Sequence, residues 1–362
     1  MTYFLLAQPD SVLRATGMRT VFADAESAAA AGTLVVGALP FDMREPVALW
    51  EPEWSAHTAG PWQPAAVPAL PAMRVVAELP SGASHVARVA SLVDQLRDPG
   101  CALEKVVAAR SMVVAADEPL EPEVVAAHLL TARPNAHVYA VDLAAAGQAG
   151  VFVLGATPEV LVTRRGNQVS LHPLAGTLPR LADPVADVAQ SQELLNSKKN
   201  QAEHGYVIDW IRSRLTPLCS SLSIPDEPVL MQTESVWHLT TPITGTLADP
   251  APTALDLAIA LHPTPAVNGT PFAEAREAIV AEEQRGFYGG AVGWCDASGD
   301  GEWVVAIRGG ELSADRRTLR ATAGGGIVAD SDPAVELAET TAKFATLLGA
   351  LACPVPTDGP TC

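Results

Sequence analysis

The chain is short of paired cysteines, of positive charge and of long apolar runs, and each shortage narrows what it can do. Its five cysteines (Cys101, Cys219, Cys295, Cys353 and Cys362) are odd in number and show no CxxC spacing, so they read as reduced thiols, two of them near a C-terminus expected to be mobile. Lysine and arginine number 23 against 41 acidic residues, and the formal net charge of −18 argues against nucleic acid or an anionic membrane as the main partner. No stretch reaches the ~18 uninterrupted apolar residues that a spanning helix needs. The opening MTYFLLAQPDSVLR lacks a basic segment before its short apolar run, so it does not read as a signal peptide. GxGxxG, GxxxxGK[ST], GxSxG and HExxH are all missing, which leaves a nucleotide cofactor, a serine elbow and a zinc helix without support. The expectation is a soluble, cytoplasmic protein that binds neither nucleic acid nor membrane.

What is present is an apolar, well-punctuated chain. At 362 residues and 48% hydrophobic it holds one large core or two ordinary domains, and its 30 Pro and 27 Gly are spread through turn-like settings. Apolar spacing predicts helices over 84–97, 122–131, 188–215, 254–261, 272–283 and from 331 to 348. Strands are predicted over 33–41, 103–110, 137–143, 151–164, 168–174, 236–246, 291–296, 303–312 and 317–322. Antiparallel runs interrupted by helices make an α+β pattern. With no repeat and no linker in view, a single domain is expected over 1–350, its core motifs over 80–350, followed by a tail over 351–362.

Four features carry chemistry. On the last helix Glu336, Glu339 and Lys343 fall at i, i+3 and i+7 and so share a face, beside an apolar strip of Leu337, Thr341, Phe344 and Leu348. Two carboxylates on one face offer oxygen ligands to Mg²⁺, although alone they read more readily as a solvated face with one Glu339–Lys343 pair. Glu203, at the edge of the apolar face of the 188–215 helix, supplies the other half of such a site if it meets Glu339 across a cleft. Lys105 sits among valines, either at a sheet edge with its stem buried or pointing inward, where desolvation favours the neutral amine that acts as a base. Glu159 follows Pro158 in an apolar strand, where burial would raise its pKa toward that of a general acid. Each of these residues singly is equally served by a structural role.

Read together, the segments EKVVAARS (104–111), LGATPEVLV (154–162), HPLAGTLPR (172–180), LLNSKKNQAEHGYVIDWI (194–211), VWHLTTPITGTL (236–247), LHPTPAVNGTP (261–271), FYGGAVGWCDASGDGEWVVAIRGGEL (287–312) and AGGGIVADSDPAVELAETTAK (323–343) resemble, in order, the chorismate-utilising enzymes, and among them the isochorismate synthases. The resemblance covers about residues 80–350. It implies the anthranilate synthase component I-like fold, a single large domain of antiparallel sheets flanked by helices, monomeric by analogy. It implies Mg²⁺ held by Glu203 and Glu339, with Glu336 close by, and chorismate as substrate. Gly324 and Gly326, in a glycine-rich turn, would offer backbone N–H groups to a carboxylate. Arg308 and Lys343 would bind the pyruvyl carboxylate, and Gly176, Thr177, Thr264 and Tyr288 would line the pocket. Lys105 would activate water for attack at C2 while Glu159 protonates the departing C4 hydroxyl. In aminating relatives the Lys105 position resembles Gln, and Ala175 stands where aminodeoxychorismate synthases have a lysine nucleophile, so water is the expected nucleophile. Salicylate synthases share Lys105, Glu159 and the glutamates and are the first rival; a chorismate-binding protein without activity is the second. Asn200 departs from the Asp or Glu of many relatives.

Overall fold

The computed structural model describes residues 2–65, 67–233 and 236–355. Its layering explains why so many strands are continuous apolar runs. Along strand Tyr3–Ala7, Phe4 and Leu6 face one side and Leu5 and Ala7 the other, and both sides are buried. Strand Val35–Leu39 does the same, with Val36 and Ala38 on one side and Val35 and Leu39 on the other. Alternate side chains of a strand point to opposite faces, so a sheet covered on both faces shows no polar alternation.

Among the described residues the strands form antiparallel sheets of ten, nine and three strands. The two large sheets pack face to face over Phe4, Leu6, Trp50, Tyr139, Val292 and Val304. Eight helices complete the described chain: α1 (Ala25–Ala29), α2 (Gly82–Arg97), α3 (Pro122–Ala132), α4 (Pro184–Asn196), α5 (Lys198–Leu215), α6 (Ala254–Leu261), α7 (Phe272–Glu282) and α8 (Pro333–Ala350). Val125 and Leu129 of α3, with Phe344, Leu347 and Leu348 of α8, close the outer face of the ten-stranded sheet. Val207 and Ile211 of α5, with Leu255 and Leu261 of α6, close that of the nine-stranded sheet. The fold is α+β, as the sequence pattern predicts. No helix among the described residues is long and apolar enough to cross a membrane.

The structure departs from the predicted elements where the chain changes sheets. The single strand expected over 151–164 is two: Phe152–Thr157 lies in the ten-stranded sheet, Val160–Arg165 in the nine-stranded one. Pro158 sits at the break, where a residue without an N–H ends the ladder. Likewise 303–312 divides into Gly301–Val305 and Gly309–Leu312, one strand in each large sheet. The segment 236–246 divides around Thr241 and Pro242, its first half joining the three-stranded sheet. The helix expected over 188–215 is α4 and α5, and Ser197 ends the first and caps the second. The glycine run 324–326 is not a turn: it lies within strand Thr318–Ile327, paired with Ala109, Ala108 and Val107. Nor is the chain beyond 350 free from its start, since Leu351 and Cys353 are buried in the core; residues 356–362, with Cys362, lie outside the described residues.

Helix α8 is fixed at its start by Asp332, whose carboxylate accepts from the backbone of Ala334 at 2.8 Å and Val335 at 3.0 Å. Asp332→Ala is expected to cost about 1 kcal/mol of stability. A lower urea midpoint with an unaltered m-value would register it.

Candidate active site

The site is assembled around strand Thr318–Ile327, which pairs with strand Lys105–Ala116 and is overlain by α8. A side chain at position 326 would stand 2.3 Å from Glu203 Oε1 and 2.8 Å from Lys105 Cε; one at 325 would stand 3.0 Å from Glu336 Oε2. Glycine is therefore what lets three carboxylates come up to this strand. Each carboxylate is met by a lysine. Lys105, fully buried, places Nζ 2.9 Å from Glu203 Oε1. Lys199 Nζ lies 3.1 Å from Glu336 Oε1, which also accepts from Ser331 Oγ at 2.7 Å. Lys343 Nζ lies 2.5 Å from Glu339 Oε1 and donates to the Gly324 carbonyl at 2.8 Å.

The charges act on one another across this cluster. Burial opposes ionisation of Glu203, yet Lys105, Lys343 and Lys199 outweigh it and its pKa lies below the ordinary value. Glu336 goes the other way, raised by burial and then by the Glu339 charge. Burial disfavours the Lys199 ammonium, but Glu336, Glu203 and Glu339 together hold it charged. So the acidic face of α8 is turned inward. The apolar strip expected beside it is only partly kept: Phe344 and Leu348 are buried, while Leu337 and Thr341 are partly exposed.

Two further side chains come from the sheet crossovers. Glu159 follows Pro158, is buried, and its carboxyl accepts from the Leu174 backbone. Burial pushes its pKa up to about 7 against the opposing pull of that bond, Arg308, Lys105 and Lys343. Arg308 occupies the other crossover with a left-handed backbone, φ 53°, rare outside glycine. Its Nη2 lies 3.5 Å from His238 Nε2, and His238 Nδ1 is 2.9 Å from Thr177 Oγ1. His238 and Thr177 belong to the three-stranded sheet, whose register shifts between Ala175 and Thr177 and brings Gly176 to the wall.

A cavity of about 60 Å³ lies among these groups, lined by Glu159, Gly176, Thr177, Glu203, Tyr288, Arg308, Gly324, Gly326, Glu339 and Lys343. Ten of the predicted site residues are thus brought together. Lys105 stands behind Gly326 and Glu203, and Glu336 stands beyond Gly325. Thr264 does not reach the wall; Ala266 and Val267 stand there, while the Thr264 carbonyl accepts from Val267 and Asn268. Asn200 turns its amide to Ser197 in the α5 cap. His204 and His262 are structural: the first pairs with Thr241 at 2.7 Å, the second with the Pro40 carbonyl at 2.8 Å. Sequence reasoning missed His238 and Lys199. Lys199 left a signal, four residues before Glu203 on one helix, whereas nothing local marks His238.

Glu203, Glu336 and Glu339 are hard oxygen donors of the kind Mg²⁺ takes. They do not form a closed cage: among the described residues no three acidic, histidine or cysteine side chains converge as a ready metal group. Each is turned onto a lysine, but Glu336 Oε2 is buried with no hydrogen-bond partner. That orphaned oxygen and the mutual repulsion of Glu336 and Glu339 fit a site with room for a further cation.

The fold and the site together define an α+β protein with a small cavity walled by paired acids and amines. Residues 62–352 match the family model described as chorismate binding enzyme. A Mycobacterium tuberculosis protein carrying the provisional name isochorismate synthase MenF is 49% identical, over 96% of this chain and 95% of its own. Isochorismate synthase EntC of Escherichia coli is 35% identical, over 94% of this chain and 86% of its own. The crystal structure of a Bacillus anthracis chain, provisionally a 2,3-dihydroxybenzoate-specific isochorismate synthase, DhbC, superposes with a TM-score of 0.88 at 37% identity, covering 97% of this chain and 96% of that one. The chain belongs to the chorismate binding enzyme family.

The raised pKa of Glu159 makes stability depend on pH. Its folded value, about 7, exceeds the ordinary 4.5, so the protonated acid favours the folded state below pH 4.5 and this advantage is lost as pH rises through about 7. Glu302, also pushed up to about 7 by burial, behaves alike in any Glu159 variant and cancels in the difference. Urea unfolding at pH 5 and pH 8 is therefore expected to show a larger loss of stability in the wild type than in Glu159→Gln. Equal losses in the two chains would contradict the assignment.

Proposed function

We propose that the protein is an isochorismate synthase that converts chorismate to isochorismate with Mg²⁺. The observation that carries this reading is an acid on the cavity wall that keeps its proton near neutrality, Glu159, together with an amine excluded from water, Lys105, standing behind Gly326 and Glu203 of that wall. An allylic exchange of hydroxyl positions needs both. Lys105 takes a proton from the water that adds at C2, the ring double bond shifts, and Glu159 gives its proton to the hydroxyl leaving C4 as water. Each positioned proton transfer is worth ~10²- to 10⁴-fold. Arg308 and Lys343 receive the pyruvyl carboxylate, and the planar guanidinium suits a bidentate contact. Tyr288 and Thr177 complete the wall around it.

Glu203 and Glu339 would hold Mg²⁺ with Glu336 in support, and a bound ion would supply positive charge for the ring carboxylate. The Lys105 position also distinguishes water from ammonia as nucleophile among the relatives that this chain resembles.

Purified protein incubated with chorismate and Mg²⁺ is expected to yield isochorismate on chromatography. Salicylate with pyruvate would replace this reading by a lyase, and unchanged chorismate by a binding protein. In the same assay Lys105→Ala is expected to lose at least ~10²-fold in turnover while still binding chorismate. Glu339→Gln is expected to move the Mg²⁺ titration midpoint upward by ~10-fold or more, by analogy with lost metal-site partners. An unmoved midpoint would remove Glu339 from the ligand set.

A further inference from the structure

Tyr139 belongs to strand His137–Asp142 and lies in the layer between the two large sheets, 1% exposed. Phenylalanine would fill that layer as well, so the hydroxyl needs a reason. It donates to the carbonyl of Ile307, the residue before Arg308, at 3.2 Å. The ring reaches that far because Gly155 and Gly309, paired across neighbouring strands, carry no side chains: a Cβ at either would stand 2.5 Å from the hydroxyl. Gly155 leads into the link that bears Glu159, and Gly309 follows Arg308 in the other. One side chain thus lies against the start of one link and the end of the other, while standing off the wall of the catalytic cavity.

The peptide between Ile307 and Arg308 carries the bond that Tyr139 makes, so its orientation sets the φ of Arg308, 53°. Such a value is unfavourable for an arginine and persists only where the surroundings enforce it. Two bonds do so: Tyr139 holds the carbonyl before Arg308, and the Ala156 N–H holds the carbonyl of Arg308 itself at 3.2 Å. The guanidinium has weaker support, since His238 Nε2 lies 3.5 Å away, at the outer limit of a hydrogen bond. We propose that Tyr139 is a positioning residue for the reaction, whose hydroxyl fixes the left-handed turn at Arg308 and thereby aims the guanidinium at a carboxylate of the substrate. The inference rests on the isochorismate synthase reading for its substrate and adds a residue that never meets it. Without the hydroxyl, the Ile307 carbonyl loses this donor, the peptide turns, and Arg308 relaxes toward the ordinary region and withdraws its donor fork. Glu159 and Lys105 are held by other contacts, so the loss falls on binding and not on proton transfer.

The test is steady-state kinetics and equilibrium binding of chorismate, with Mg²⁺, on the full chain carrying Tyr139→Phe, which keeps the ring. Its KM for chorismate is expected to rise ~5-fold or more while kcat stays within ~2-fold of wild type. A double-mutant cycle with Arg308→Lys, read as chorismate Kd from tryptophan fluorescence, tests the route. In that background Tyr139→Phe is expected to change Kd less than ~2-fold. A hydroxyl with a structural role alone would lower the urea midpoint and leave KM unmoved, and that result would overturn the proposal. So would a fall in kcat at constant KM, which would place the hydroxyl in the chemistry. An equal weakening of binding in the Arg308→Lys background would show that Tyr139 does not act through Arg308 and would overturn it too. If the wild type itself neither binds nor converts chorismate, it is the isochorismate synthase reading that falls, an outcome distinct from wild-type binding that Tyr139→Phe leaves intact.

Discussion

The structure depends on three carboxylates held close together at a backbone without side chains. Glu203, Glu336 and Glu339 approach the glycine strand, and such a cluster repels itself in a medium of low dielectric. Lys105, Lys199 and Lys343 neutralise it, one to each acid. A buried ion pair is weak evidence for stability, because desolvation offsets the attraction. Its presence in triplicate beside a cavity is better explained by use than by folding. On the proposed reading, the cluster supplies the cations and carboxylates that a metal ion and a polyanionic substrate would take up.

Much of the fold was legible because it is written locally. Strand runs such as 33–41 and helices such as 254–261 follow from apolar spacing, caps and prolines acting within one turn of themselves. The sheet changes were not legible. Val151 to Arg164 and Trp303 to Leu312 each look like one strand, since both halves are apolar and only the partner sheet differs. Pro158 was a visible breaker; Arg308 was not, because a left-handed arginine leaves no trace in its own residue type. The glycine run was misread as a turn for the opposite reason: glycine marks turns by default, and here it serves close approach inside a strand.

The site was half legible. Lys105 and Glu159 stood out as polar residues in apolar strands, and both prove buried. Their meeting depends on contacts between distant segments, which only the resemblance to a family anticipated. His238 stayed hidden because a histidine in VWHLTT has no oddity of its own; its meaning comes from Thr177 and Arg308, 61 and 70 residues away in sequence. Thr264, which the resemblance named as a wall residue, is buried two residues from Ala266, which with Val267 stands on the wall itself.

Glu159 and Arg308 both stand on the links that carry the chain from one large sheet to the other. The separation of the Glu159 carboxyl from the Arg308 guanidinium is thus geared to the thickness of the layer between the sheets, set by Phe4, Trp50, Tyr139 and their neighbours. Close-packed interiors transmit a change of one methylene. The hydrophobic filling of this molecule therefore acts as the gauge of its polar site, and resizing a residue in that layer would move the carboxyl and the guanidinium relative to one another.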